Sequence, residues 1–245
     1  MSDREDRAAR RGVLYGLGVG PGDPDLLTLK AVRLIQAAPV IAYPAPLEGE
    51  SMARRIAAPH IPEAKIEIAI RMPMVQARFP AQEVYDRAAE EIGAHLAAGR
   101  DVAVLCEGDP FFYGSFMYLF GRLAEAGGAR AVVVPGVSAL TATAASAGAP
   151  LAARNDVLTV LPGPLEEDDL TARLKAAEAV AIIKVGRHLA KVKRALAAAG
   201  LADGARYISH ATLPEQRVAP LAEVEEDAAP YFSMVLAHRR GEAWT

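Results

Sequence analysis

The sequence predicts an α/β protein with two sheets, an N-terminal one that is mainly parallel and a C-terminal one that is mixed. Three observations lead there. Strand-like and helix-like runs alternate through the first half, as βαβ units require. One run, Val102–Cys106, is apolar at every position, which suits a parallel strand covered on both faces. Near the C-terminus, strand-like runs follow one another without crossover helices between them, so antiparallel neighbours are expected.

The elements follow in order. Val13–Leu17 reads as a strand, and Thr28 can cap a helix over Leu29–Ala37. Pro39–Tyr43 is a strand, and Ser51 can cap a short helix to about Ala58. Ile66–Ile70 alternates charged and apolar residues, as a half-buried strand does. Pro80 opens a helix with Val84, Ala88, Ile92 and Leu96 on one face, ended by Gly99. After Val102–Cys106 come a helix over Ser115–Ala126 and a strand over Ala131–Val134. Composition then shifts, and Ser138–Ala149 is rich in small residues. The second half reads as strands at Val157–Leu161, Ala179–Lys184, Ala205–His210, Gln216–Ala219 and Phe232–His238. Helices are expected at Glu166–Ala176 and Leu189–Ala199. The expected division is a charged, frayed tail over 1–11, one α/β domain over 12–136 and a second over 137–245.

Bulk properties exclude several function classes. The 245 residues are 52% hydrophobic with a net charge of -3, so no basic field advertises a nucleic-acid partner. Cys106 is the single cysteine, which rules out a disulfide framework or a cysteine-built metal site. It is expected to be a buried thiol. His60, His95, His188, His210 and His238 lie far apart, without metal-ligand spacing, so no metal is expected. No apolar run reaches the roughly 20 residues of a membrane span, and residues 1–11 lack an apolar signal core. A cytoplasmic protein is expected.

Three loops share one build. Tyr15-Gly-Leu-Gly-Val-Gly-Pro-Gly-Asp-Pro-Asp-Leu-Leu-Thr28 follows the first strand, Cys106-Glu-Gly-Asp-Pro-Phe-Phe-Tyr-Gly114 the strand at 102, and Val134-Pro-Gly-Val-Ser-Ala139 the strand at 131. The first is no dinucleotide fingerprint: a frame from Gly16 meets Pro21 at its third glycine, and a frame from Gly18 meets Asp23. Nor is it a P-loop, since no Gly-Lys-Ser/Thr follows. Parallel strands joined by right-handed crossovers end on one edge. The loops should therefore meet at one rim and form a pocket for a flat, polar small molecule.

Gly16-x-Gly-x-Gly-Pro-Gly-Asp-Pro-Asp-Leu-Leu-Thr-Leu-Lys-Ala31, Gly108-Asp-Pro-Phe-Phe-Tyr-Gly114 and Pro135-Gly-Val-Ser-Ala139 together resemble the tetrapyrrole methyltransferase family in order and spacing. The likeness runs from about Val13 to Leu236. It is nearest to the subgroup that methylates precorrin-2 at C20. Phe111-Phe-Tyr-Gly-Ser-Phe-Met-Tyr-Leu-Phe120, Lys184-Val-Gly-Arg-His188, Ala211-Thr-Leu-Pro-Glu-Gln-Arg217 and Tyr231-Phe-Ser-Met-Val235 carry that closer likeness. Many relatives have Tyr-Asp where this chain has Tyr43-Pro44, so no role passes to that missing acid.

The resemblance implies a two-domain class III methyltransferase fold with the active site in a cleft between domains, and a homodimer. It implies S-adenosylmethionine as methyl donor, leaving S-adenosylhomocysteine, and precorrin-2 as acceptor at a meso carbon. Cobalt-loaded acceptors, other tetrapyrrole carbons and macromolecular acceptors are the alternatives. Carried over by position, Pro21, Glu107, Gly108, Asp109, Ser138 and Ala139 would face the donor, with Val185, Ala211 and Thr212 at its adenine. The reaction needs alignment and water exclusion more than a nucleophile. A base must take the displaced proton, and Glu107, Asp109, Tyr113 and His210 are the candidates. Arg71, Arg122, Arg154, Arg187 and Arg217 could pair with acceptor carboxylates, Arg154 and Arg187 foremost. Phe111, Phe112 and Tyr113 could line the macrocycle.

Overall fold

The computed structural model describes residues 11–72 and 78–241, so the expected tail lies almost wholly outside the described residues. The chain divides into two compact units, one ending at Ser138 and the other starting at Ala139.

The first unit holds strands β1 (Leu14–Gly18), β2 (Val40–Pro46), β3 (Ile66–Met72), β4 (Val102–Cys106) and β5 (Ala131–Val134). Their order is β3-β2-β4-β1-β5, and every pair is parallel. Helices α1 (Leu29–Ala37), α2 (Met52–Ala57), α3 (Arg78–Ala97) and α4 (Phe116–Phe120) connect them. The predicted caps are present: Thr28 Oγ1 accepts from Ala31 N at 3.2 Å, and Ser51 Oγ from Arg54 N at 3.2 Å. α3 begins at Arg78, two residues ahead of Pro80. The predicted single helix over 115–126 ends as an α-helix at Phe120 and continues as a π-helical turn over Gly121–Ala126.

Side chains alternate along a strand, and β4 supplies both layers of the core. Val102, Val104 and Cys106 join Leu14, Ile92 and Phe116 on one face. Ala103 and Leu105 join Leu17, Ile35, Ile41 and Ile56 on the other. Helices therefore cover both faces, and only strand ends and their loops remain for a ligand. That burial is why the run carries no polar residue.

The second unit holds α5 (Ala139–Ala147), β6 (Leu158–Pro162), α6 (Glu167–Ala176), β7 (Ala179–Ile183), α7 (Leu189–Ala198), β8 (Arg206–Ser209), β9 (Arg217–Pro220) and β10 (Ser233–His238). Strand order is β6-β7-β10-β8-β9. β6 and β7 are parallel and the other pairs antiparallel, giving the mixed sheet expected. Leu170, Leu174, Val192 and Leu196 of α6 and α7 pack on one face. α5 covers the other with Leu140 and Ala147 against Ile183, Ile208 and Met234. The sequence marked that segment only by its small residues, because an alanine-rich helix shows little contrast between faces. Among the described residues, no helix is long and apolar enough to cross a membrane.

Candidate active site

In the first unit the three loops meet. Gly20 N donates to Gly108 O at 3.3 Å and Gly108 N to Gly20 O at 2.7 Å, a two-way backbone pair beyond the ends of β1 and β4. Both glycines have positive φ, +81° and +64°, a conformation costly for other residues. The third loop closes on this pair. A Cβ on Gly136 would stand 2.1 Å from Gly108 O, so no side chain fits there. Asp109 ties the junction: Oδ1 accepts from Phe111 N at 2.9 Å and Oδ2 from Gly136 N at 3.1 Å. Pro21 and Ser138 are half-buried on loops of the same rim. Ala139 is exposed and opens α5, in the second unit.

A fourth contributor was not visible in the sequence. Glu107 Oε1 accepts from Ala53 N at 3.2 Å, in the first turn of α2. Ser51 seats that turn by donating to Pro44 O at 2.5 Å. The Ser51 cap was legible, but nothing in the sequence linked the turn it opens to a glutamate 54 positions beyond Ala53. Burial pushes the Glu107 carboxyl up from its ordinary value, and the two backbone N–H groups at it, its own and that of Ala53, pull the other way. Phe111, Phe112 and Tyr113 are exposed. The Phe111 ring stands edge-on to Phe120 at 5.3 Å, and Phe112 edge-on to Tyr113 at 5.1 Å. Tyr113 takes φ +57°, a strained setting for a residue with a side chain.

In the second unit, β7 and β8 both run against β10, and β6 runs with β7. The ends of β6, β7 and β8 therefore share an edge with the starts of β9 and β10. Lys184, His210 and Thr212 lie there, at φ +55°, +49° and +68°. His210 N donates to Phe232 O at 2.8 Å, and the exposed Tyr231 and Phe232 rings meet edge-on at 5.1 Å. Thr212 N donates to Gln216 Oε1 at 2.7 Å, and Ala211 is half-buried beside it. Arg187 is exposed on the 3-10 turn Gly186–His188 at this edge.

Val185 is wholly buried in the core. Gly186 N donates to Ser233 Oγ at 3.2 Å and fixes the turn behind it. Arg154 lies apart from Arg187. It precedes β6, at the opposite end of the sheet, in the loop where Asp156 binds His238 Nε2 at 3.1 Å and Arg240 at 2.9 and 3.0 Å.

Three other arginines already have partners: Arg71 with Pro46 O, Arg122 with Asp86, and Arg217 with Glu226. Cys106 is buried, as expected. Among the described residues no cluster of His, Cys, Asp or Glu could hold a metal.

Comparison with known proteins agrees with this architecture. Residues 13–225 match the profile of the Tetrapyrrole (Corrin/Porphyrin) Methylases. The chain belongs to this family. Within the tetrapyrrole methylases it is 43% identical over 233 residues to a Precorrin-2 C(20)-methyltransferase of Sinorhizobium sp, covering 92% of this chain and 94% of that protein. It is equally identical, over 234 residues, to the Cobalamin biosynthesis protein CobIJ of Mycobacterium tuberculosis. There it spans 46% of the relative, about half its length. A solved tetrapyrrole methylase, the Uroporphyrin-III C-methyl transferase from Thermus thermophilus complexed with S-adenyl homocysteine, superposes with a TM-score of 0.69. That match has 25% identity and covers 93% of this chain and 92% of that one. The fold is that of the class III methyltransferases.

Proposed function

We propose that the protein transfers a methyl group from S-adenosylmethionine to C20 of precorrin-2, giving precorrin-3A on the cobalamin route. The observation that carries this is the 43% identity to a Precorrin-2 C(20)-methyltransferase over 94% of its length. The first unit's rim fits a nucleoside donor: a glycine junction too tight for side chains brings three loops together, leaving backbone groups and few side chains at its centre. The donor supplies an electrophilic methyl on a sulfonium leaving group. The chain's own residues bind, align and exclude water.

Pro21, Gly108 and Ser138 contact the donor through the loops, with Ala139 following. Asp109 acts as a positioning residue, because both its oxygens are held by backbone N–H groups. The Val185 backbone, Ala211 and Thr212 serve the adenine. Phe111, Phe112 and Tyr113 face the macrocycle, and Arg187 pairs with its carboxylates. His210 is the candidate proton acceptor on the second unit's rim. The protein works as a cytoplasmic homodimer without nucleic-acid or membrane partners.

The test is product analysis after incubating the purified protein with precorrin-2 and donor labelled with carbon-13 at the methyl. The expected result is one added methyl, with label at C20 by NMR. Label at C11 or C17 overturns the reading.

A further inference from the structure

The first unit's loop junction carries two acidic side chains and no cation. Asp109 has both oxygens on backbone N–H groups. Glu107 is half-buried at the end of β4, directly before the Gly108 that pairs with Gly20. Among the described residues its carboxyl meets only backbone N–H groups, its own and that of Ala53. Of the basic residues on the packed helices, Arg54 holds Glu67 with two bonds of 3.0 Å, Arg33 donates to Leu29 O, and Lys30 and Arg55 are exposed. On the first loop the titratable groups are Tyr15, Asp23 and Asp25, none of them cationic, and Pro135–Ser138 has none. The remaining neighbour is Cys106, a buried thiol that the fields of Glu107 and Asp109 push further up. A carboxylate partly withdrawn from water and lacking a counter-charge is unfavourable. A cationic ligand at the junction would supply that charge.

We propose that Glu107 senses charge at the donor site: it ionises against a bound sulfonium and takes its proton back from solvent when the ligand is neutral. The inference rests on the reading that this junction holds S-adenosylmethionine. The charged donor and the neutral S-adenosylhomocysteine then bind to different protonation states of one side chain. Loss of the sulfonium charge on methyl transfer removes the partner of the carboxylate, which weakens retention of the product.

Titration calorimetry with each ligand, from pH 5 to pH 7, tests this below the titration of the ligand amine near 8. In the wild type the donor-to-product affinity ratio should rise about tenfold or more across that range, the shift an opposite charge at close range produces. Donor binding should release protons, read as a dependence of heat on buffer, and product binding should not. Glu107→Gln keeps an acceptor for Ala53 N–H and removes the titrating proton. Its ratio should be lower and flat with pH. A wild-type ratio that does not change with pH overturns the inference, as does a Gln variant that keeps the wild-type profile. Failure of the wild type to bind either ligand would instead overturn the reading of the junction as the donor site.

Discussion

Gly136 shows how little freedom the junction has at the level of single residues. Its missing Cβ would lie 2.1 Å from Gly108 O and 2.8 Å from Gly18 Cα. Gly136→Ala must push the third loop away from the other two. Denaturant unfolding should show a loss of roughly 1–3 kcal/mol, the usual cost of overpacking. Binding of S-adenosylhomocysteine should weaken at least tenfold, because the Gly20–Gly108 pair moves with the loop. Unchanged binding in a folded variant would separate this junction from the donor site. The glycines themselves were legible, since glycine and proline punctuation at three strand ends is a local pattern. Val185 carried no such pattern, since a strand-end valine reads the same at the surface or, as here, in the core.

At the scale of elements, α2 matters more than its six residues suggest, because its first turn holds Glu107. A clamp fixes it from the side: Arg54 binds Glu67 bidentately, and Tyr43 donates its hydroxyl to Glu67 Oε2 at 2.8 Å. The Arg54 bonds hold Glu67 below the ordinary carboxylate range. Burial, with Glu67 second, raises Tyr43. The signs differ. The stability from Glu67 is present above its unfolded pKa and lost as pH falls through the depressed folded value. The stability from Tyr43 is present below pH 10 and lost as pH rises through its raised value. Glu67→Gln should therefore be less stable than wild type at neutral pH, with the gap closing towards acid. Its Tyr43 should titrate closer to the ordinary phenol value, read by ultraviolet absorbance. Being partly exposed, the clamp should contribute no more than about 1 kcal/mol. A gap that widens in acid would refute the assignment. The strands and most helices were legible because their apolar periods are local, whereas α5 was hidden by its alanines. The contact between α2 and Glu107 was hidden because it joins strand ends that only the β2-β4-β1 order brings together.

For the whole molecule the deciding quantity is charge. To bind a polycarboxylate, a protein of net charge -3 must concentrate cations locally, and such attraction is screened by salt. Strand directions in the second unit place Arg154 and Arg187 on different edges. Arg187 lies on the edge with Lys184 and His210, and Arg154 lies on the edge with His238 and Arg240. Composition alone could not sort them, because the edge a loop occupies depends on the direction of every strand between. Arg187→Ala should raise the KM for the tetrapyrrole about three- to tenfold at low salt, the loss of one charge-assisted pair near solvent. The penalty should shrink as ionic strength rises, and binding of S-adenosylhomocysteine should not change. Arg154→Ala should leave KM within about twofold, as expected of an exposed cation off the rim. A larger effect at Arg154 than at Arg187 would mean that the acceptor approaches the other edge of the sheet, and the assignment of the second unit's rim would have to be abandoned.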